Sequence, residues 1–101
     1  MNARELSRLI ENDLATHKLV WHGRPIDQCL VEPVEITCLN SHASNQPERY
    51  WLVFEEGPNP GQGYKVVYDE ELCEFGLAVA GEVEPIIIGI YGSFVETLHS
   101  M

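Results

Sequence analysis

The chain has 101 residues, of which 45% are hydrophobic and 22% charged, and its formal net charge is −10. This length indicates one domain over residues 1–101, and the hydrophobic share argues against global disorder. No stretch approaches the ~20 apolar residues of a transmembrane helix, and the charged first residues are unlike a signal peptide. We therefore expect no membrane association.

The negative charge is concentrated in the second half of the chain. Residues 51–101 hold nine Asp and Glu against Lys65 alone, a balance of −8, whereas residues 1–50 have a balance of −2. Such a field repels nucleic acid and favours a cationic partner. We therefore expect a basic protein partner and no nucleic-acid binding. The alternative is that the charge serves solubility alone.

The cysteines and histidines do not form a pattern with known chemistry. Cys29, Cys38 and Cys73 are odd in number and lack paired spacing, so we expect free thiols in a cytoplasmic protein. Cys38 and His42 make one loose pair, whereas zinc needs four converging ligands. Signatures of a cysteine nucleophile and of a phosphate-binding loop are absent from the sequence. The sequence predicts a protein that is not an enzyme and has no metal or cofactor.

Apolar spacing predicts two helices and about six strands. Helix 2–16 begins with the capping pair Asn2 and Glu5, and its apolar stripe is Leu6, Leu9, Ile10 and Leu14. Apolar alternation and short apolar runs then predict strands at 18–22, 34–40, 50–55, 64–69, 74–80 and 86–91, with a polar loop at 41–49. A capping box from Ser93 to Glu96 opens a short final helix. We therefore predict an α+β fold, with an N-terminal helix packed on an antiparallel sheet of about five or six strands and a short C-terminal helix.

One face of the predicted sheet carries very small side chains. Gly76, Ala78 and Ala80 alternate with the bulky Phe75, Leu77 and Val79. Small residues on a strand allow another element to approach closely. We expect the first helix to cover this strip, and the alternative is a groove open to a ligand.

The best candidate for a binding surface combines aromatic rings with carboxylates. Aromatic residues anchor interfaces, and surrounding carboxylates accelerate the arrival of a basic partner. Adjacent acids on a turn are also common without any function, because they point into water. The predicted partner-binding residues are Trp51, Glu55, Glu56, Tyr68, Asp69, Glu70, Glu71 and Glu74.

The runs YDEELCEFGLAVAG (68–81) and IIIGIYGSFVETLHSM (86–101) give the second half a resemblance to known proteins. Residues 64–101 resemble the C-terminal half of a group of small, uncharacterised bacterial proteins. In overall character the chain also resembles the immunity proteins of bacterial toxin systems, which are small, acidic, cytoplasmic α+β domains. The resemblance implies a non-enzymatic protein that neutralises a basic toxin by occlusion. Two alternatives remain: a small-molecule-binding or enzymatic domain that uses the small-residue sheet face, and a self-associating structural subunit.

Overall fold

A computed structural model describes residues 2–16, 29–40, 46–56, 63–81 and 84–100. This part of the chain forms two helices and five strands. In chain order they are α1 (Ala3–Thr16), β1 (Leu30–Asn40), β2 (Gln46–Glu55), β3 (Tyr64–Asp69), β4 (Glu74–Val79), β5 (Ile86–Gly92) and α2 (Phe94–His99). The predicted α+β fold, with a helix at each end of a five-stranded sheet, is confirmed.

The sheet closes into a barrel. Each strand from β1 to β5 pairs antiparallel with the next one along the chain. The last strand then lies parallel to the first, with Leu39 beside Ile86 and Asn40 beside Ile87. Closure gives both outer strands a partner, which protects edges that would otherwise be free to pair with another chain. The sequence predicted the antiparallel pairings but not this parallel one.

Local hydrogen bonds begin both helices as the sequence predicted. The Glu5 backbone N–H donates to Asn2 Oδ1, and Asn2 Nδ2 donates to Glu5 Oε1, both at 2.9 Å. At α2, the Glu96 backbone N–H donates to Ser93 Oγ at 3.1 Å. Asp13 of α1 also accepts a hydrogen bond from the Val95 backbone N–H at 2.8 Å. This last contact ties the two helices together across 82 residues of sequence.

The buried side chains form two separate cores. We call the first the outer core, because it contains residues of both helices and of the sheet, among them Leu6, Ile10, Val66, Phe75, Leu77, Phe94 and Leu98. We call the second the barrel interior, because all five strands contribute to it and neither helix does. Its buried members are Cys38, Tyr50, Leu52, Val67, Ala78 and Ile87. The inward orientation predicted for Cys38 is confirmed.

The first helix packs into the outer core and does not cover the small-residue strip. Leu6 shares the outer core with Phe75 and Leu77, whereas Ala78 is fully buried in the barrel interior. A Cβ atom added at Gly76 would lie 2.6 Å from the Gly89 carbonyl oxygen, so this part of the strip packs directly against β5. The prediction that α1 covers the strip was wrong, because barrel closure turns that face inward.

Two other predictions differ from the structure: the length of the loop after β1 and the burial of Leu9. Residues 46–49 were predicted as loop, but they pair with the end of β1 and belong to β2, which begins at Gln46. Cross-strand pairing therefore overrides the polar composition of this segment. Leu9, predicted to be part of the buried stripe, is exposed. The strand predicted at 18–22 lies outside the described residues.

We expect Ala78→Leu to lower the free energy of unfolding by about 1–3 kcal/mol, because the larger side chain would overpack the barrel interior. Ala80→Leu makes the same change two residues further on, at an exposed position beyond the end of β4. Urea denaturation of both variants tests the assignment. An unchanged midpoint for Ala78→Leu would contradict a filled interior at this position.

Candidate functional site

The β3–β4 turn presents a group of exposed carboxylates. Asp69 closes the turn locally, because its Oδ1 accepts hydrogen bonds from the backbone N–H groups of Glu71 at 3.0 Å and Leu72 at 3.3 Å. Cys73 follows with a positive φ of 55°. The side chains of Glu70 and Glu71 remain exposed to water. The turn therefore holds these two carboxylates outward on a defined backbone.

The first half of β2 lies beside this turn and completes a concave surface. A pocket of about 340 Å³ is lined by Glu48, Arg49, Asp69, Glu70 and Glu71. A neighbouring concavity is lined by Glu35, Arg49, Tyr50, Trp51 and Glu70. Three predicted acids and the predicted tryptophan are therefore brought together. Sequence reasoning missed the contributions of β1 and β2, because residues 46–49 were predicted as a loop.

Trp51 is the aromatic residue that lies at this surface. It is half-buried, with part of its ring packed against the outer core. It is paired in register with Glu35 on one side and Tyr68 on the other, and it lines the same concavity as Glu70. A ring held in place and partly exposed costs little entropy to bury against a partner. We call Trp51, Glu48, Asp69, Glu70 and Glu71 the turn patch.

Tyr68 does not belong to the turn patch. Its side chain is only 2% exposed and lies in the outer core, with its ring centroid 4.8 Å from that of Phe75. Burial, with a smaller contribution from the neighbouring Cys73, raises the pKa of Tyr68 to about 12. The ring therefore has a structural role, and its prediction as a surface anchor is corrected.

The remaining predicted acids do not form one continuous surface. Glu74 faces Asp69 across the turn, at the edge of the turn patch. Glu55 is paired in register with Lys65, at the other end of β3, and Glu56 follows it. The five residues from Lys65 to Asp69 span about 13 Å of strand. Glu55 and Glu56 therefore make a second acidic area at the opposite end of the hairpin.

Arg49 is a cation within the turn patch region. Its guanidinium lies 3.5 Å from the Glu35 carboxylate, and its side chain is 82% exposed. An ion pair this exposed contributes little to stability and does not hold the arginine rigidly. Arg49 therefore offsets part of the negative charge of this region.

Lys65, the only Lys or Arg of residues 51–101, is withdrawn from the surface. It is 5% exposed, and its Nζ has no hydrogen-bond partner among the described residues. Because its side chain is buried, the exterior of residues 51–101 has no lysine or arginine to offset its carboxylates. Tyr64 and Val66, the neighbours of Lys65 in β3, face the outer core. Because side chains alternate along a strand, this pattern already indicated that Lys65 faces the other side, but the sequence analysis did not use it.

The barrel interior also holds the polar groups of Cys38 and Tyr50. Burial, and to a lesser extent the charge of Glu84, raises the pKa of Cys38 to about 12, while Lys65 acts in the opposite direction. The Tyr50 hydroxyl donates a hydrogen bond to Glu48 Oε2 at 2.6 Å. Burial followed by this contact raises the pKa of Tyr50. The Cys38 thiol and the Tyr50 phenol therefore both stay protonated near neutral pH.

The described residues contain no group of three or more His, Cys, Asp and Glu arranged to hold a metal ion. The three cysteines, which all lie in the described part of the chain, form no disulfide bond; Cys73 is exposed and the other two are buried. Within the described part of the chain, neither helix is long and apolar enough to cross a membrane. His42, the predicted neighbour of Cys38, lies outside the described residues.

No protein-family model, curated protein or solved structure matches this chain at a significant level. A functional assignment therefore has to come from the geometry and charge of the chain itself.

Proposed function

We propose that the chain is a non-enzymatic binding protein that holds a basic protein partner at the turn patch. The observation that carries this proposal is the separation of charge in residues 51–101. Carboxylates of the β3–β4 turn are exposed, while the only lysine of this half is buried in the barrel. A surface on which negative charge predominates attracts positively charged partners and accelerates their encounter.

Binding would combine charge pairing with burial of one aromatic ring. Lysine and arginine side chains of the partner would pair with Glu70 and Glu71, which are both exposed. The half-buried Trp51 would supply apolar area at the border of the contact. Charge would mainly set the association rate, and burial of Trp51 would mainly set the dissociation rate.

The finer form of the proposal is a bacterial immunity protein that neutralises a basic toxin by covering its active surface. Its support is the acidic surface together with the small α+β fold and the sequence resemblance described above. Capture of the partner from lysate of the native cell, identified by mass spectrometry, would show whether that partner is a toxin. A toxin encoded by the neighbouring gene would support the immunity-protein proposal. A basic partner of another kind would support only the proposal that the chain binds a basic protein.

We expect reversal of the turn carboxylates to slow association with the purified partner by about tenfold or more at low salt. The substitutions are Glu70→Lys, Glu71→Lys and Glu74→Lys. High salt should slow association of the unmodified protein, because exposed charges are screened beyond ~10 Å at 0.1 M. Surface plasmon resonance at two salt concentrations measures both effects.

A matched control changes the net charge equally at exposed positions away from the turn, using Glu11→Lys, Glu32→Lys and Glu96→Lys. If the turn patch is the binding surface, this control should slow association less than the turn variant does. Equal effects of the two triple variants would indicate a general charge effect. No effect of either would show that the acidic surface serves solubility alone.

A further inference from the structure

The barrel interior contains a lysine amine in an unusual position. Lys65 is 95% withdrawn from solvent, and its Nζ has no hydrogen-bond partner among the described residues. Glu55 faces it across the β2–β3 pairing, yet the amine does not form an ion pair with this carboxylate. A buried polar group without a partner costs free energy. Such a group points to a role that outweighs its cost, and sites of this kind are commonly functional.

The surroundings of this amine are short or apolar. Lys65 is paired in register with Ala78, and Val67 follows on the same face. Cys38 also lies in the interior, close enough for the charge of Lys65 to act on its thiol. The small-residue strip of β4 therefore lies beside the amine. Little side-chain volume stands between the amine and this strip.

The chemistry of the interior leaves Lys65 as its nucleophile. The thiolate is the reactive form of cysteine, and burial keeps the Cys38 thiol protonated by raising its pKa to about 12. Lysine amines in apolar surroundings are the groups that capture carbonyl compounds as imines. The acidic exterior repels anions, so a neutral carbonyl compound is favoured over a carboxylate or phosphate as the ligand.

The seam between β1 and β5 provides a route into the interior. The described residues form only two pairs there, Leu39 with Ile86 and Asn40 with Ile87, whereas β3 and β4 form six. Strand pairings with few contacts open more easily than the rest of a fold. Cys38 immediately precedes this seam on β1, so opening it exposes the interior side of the barrel.

We propose that the barrel interior is a binding site for small neutral aldehydes, which Lys65 captures as an imine. The Lys65 nitrogen adds to the carbonyl carbon, and a C=N bond replaces the C=O bond with release of one water molecule. No oxidant or reductant takes part. This site is separate from the turn patch, and it does not depend on the identity of a protein partner.

Reductive trapping in the intact protein tests this site. The probe is propanal with sodium cyanoborohydride, which reduces the imine to a stable secondary amine. The chain has two lysines, Lys18 and Lys65, so Lys18 is an internal reference in peptide mass spectrometry. In the native protein we expect Lys65 to be labelled severalfold more than Lys18, with a rate that saturates as propanal increases. In denaturant this preference should disappear.

A second measurement uses Lys65→Arg, which keeps a positive charge but cannot form a stable imine. Without reductant, propanal should raise the melting temperature of the unmodified protein and not that of the variant, because a ligand that binds the folded state stabilises it. Equal shifts for both proteins would overturn the proposal. Native labelling of Lys18 alone, or labelling of Lys65 that never saturates, would also overturn it.

Discussion

Phe94→Ala should lower the free energy of unfolding by about 3–5 kcal/mol, the range for removing a fully buried phenylalanine. Phe94 is the first residue of α2 and is completely buried. Its ring centroid lies 6.2 Å from that of Phe54 on β2 and 5.6 Å from that of Phe75 on β4. One side chain therefore joins the C-terminal helix to two strands of the barrel, and its loss leaves a cavity where these elements meet.

The expected loss is a large share of the total, because domains of this size are stable by only about 5–15 kcal/mol. Urea denaturation followed by circular dichroism measures the change. Leu72→Ala also shortens an apolar side chain, but Leu72 is exposed on the β3–β4 turn, so its effect should stay within about 0.5 kcal/mol. Comparable losses for the two variants would show that Phe94 does not occupy a core position.

Lys65→Met should raise the free energy of unfolding by about 1–3 kcal/mol. Methionine has nearly the same length and can fill the same space in the barrel interior, and it removes the unpartnered amine. Removing a buried polar group that has no partner recovers the desolvation cost without losing any hydrogen bond. An increase in stability is an unusual result, because most substitutions of buried residues are destabilising.

Lys65→Gln separates this explanation from a simple effect of size. Its amide is still polar and would also be buried, so we expect no comparable gain. Thermal and urea denaturation of the two variants give the comparison. A loss of stability in Lys65→Met would mean that the amine makes a favourable interaction in the folded protein, and the cost argument would fail.

Short-range patterns in the sequence determined the helices and most of the strands of this protein. The capping pair of Asn2 with Glu5 and the capping box at Ser93 depend on residues three positions apart, so they could be recognised before the fold was known. The alternation in β3 and β4 likewise predicted which side chains share a face. The α+β class and the exposed acidic turn follow from the same short-range patterns.

The candidate sites depended on pairings between distant parts of the chain. The parallel contact of β1 with β5 joins residues about 47 positions apart, and no short-range pattern encodes it. This closure turned the small-residue strip and Lys65 into a barrel interior, whereas the sequence predicted a strip under the first helix.

The binding surface also depends on pairings between strands, which short-range patterns do not encode. The pairing of β2 with β3 brought Glu48 and Trp51 to the acidic turn, and the outer core buried Tyr68, which was predicted as an anchor. Periodicity shows which residues of one strand lie on the same face. Only the closed sheet decides which of its faces meets solvent, helix or barrel interior, because that choice depends on burial of the whole chain.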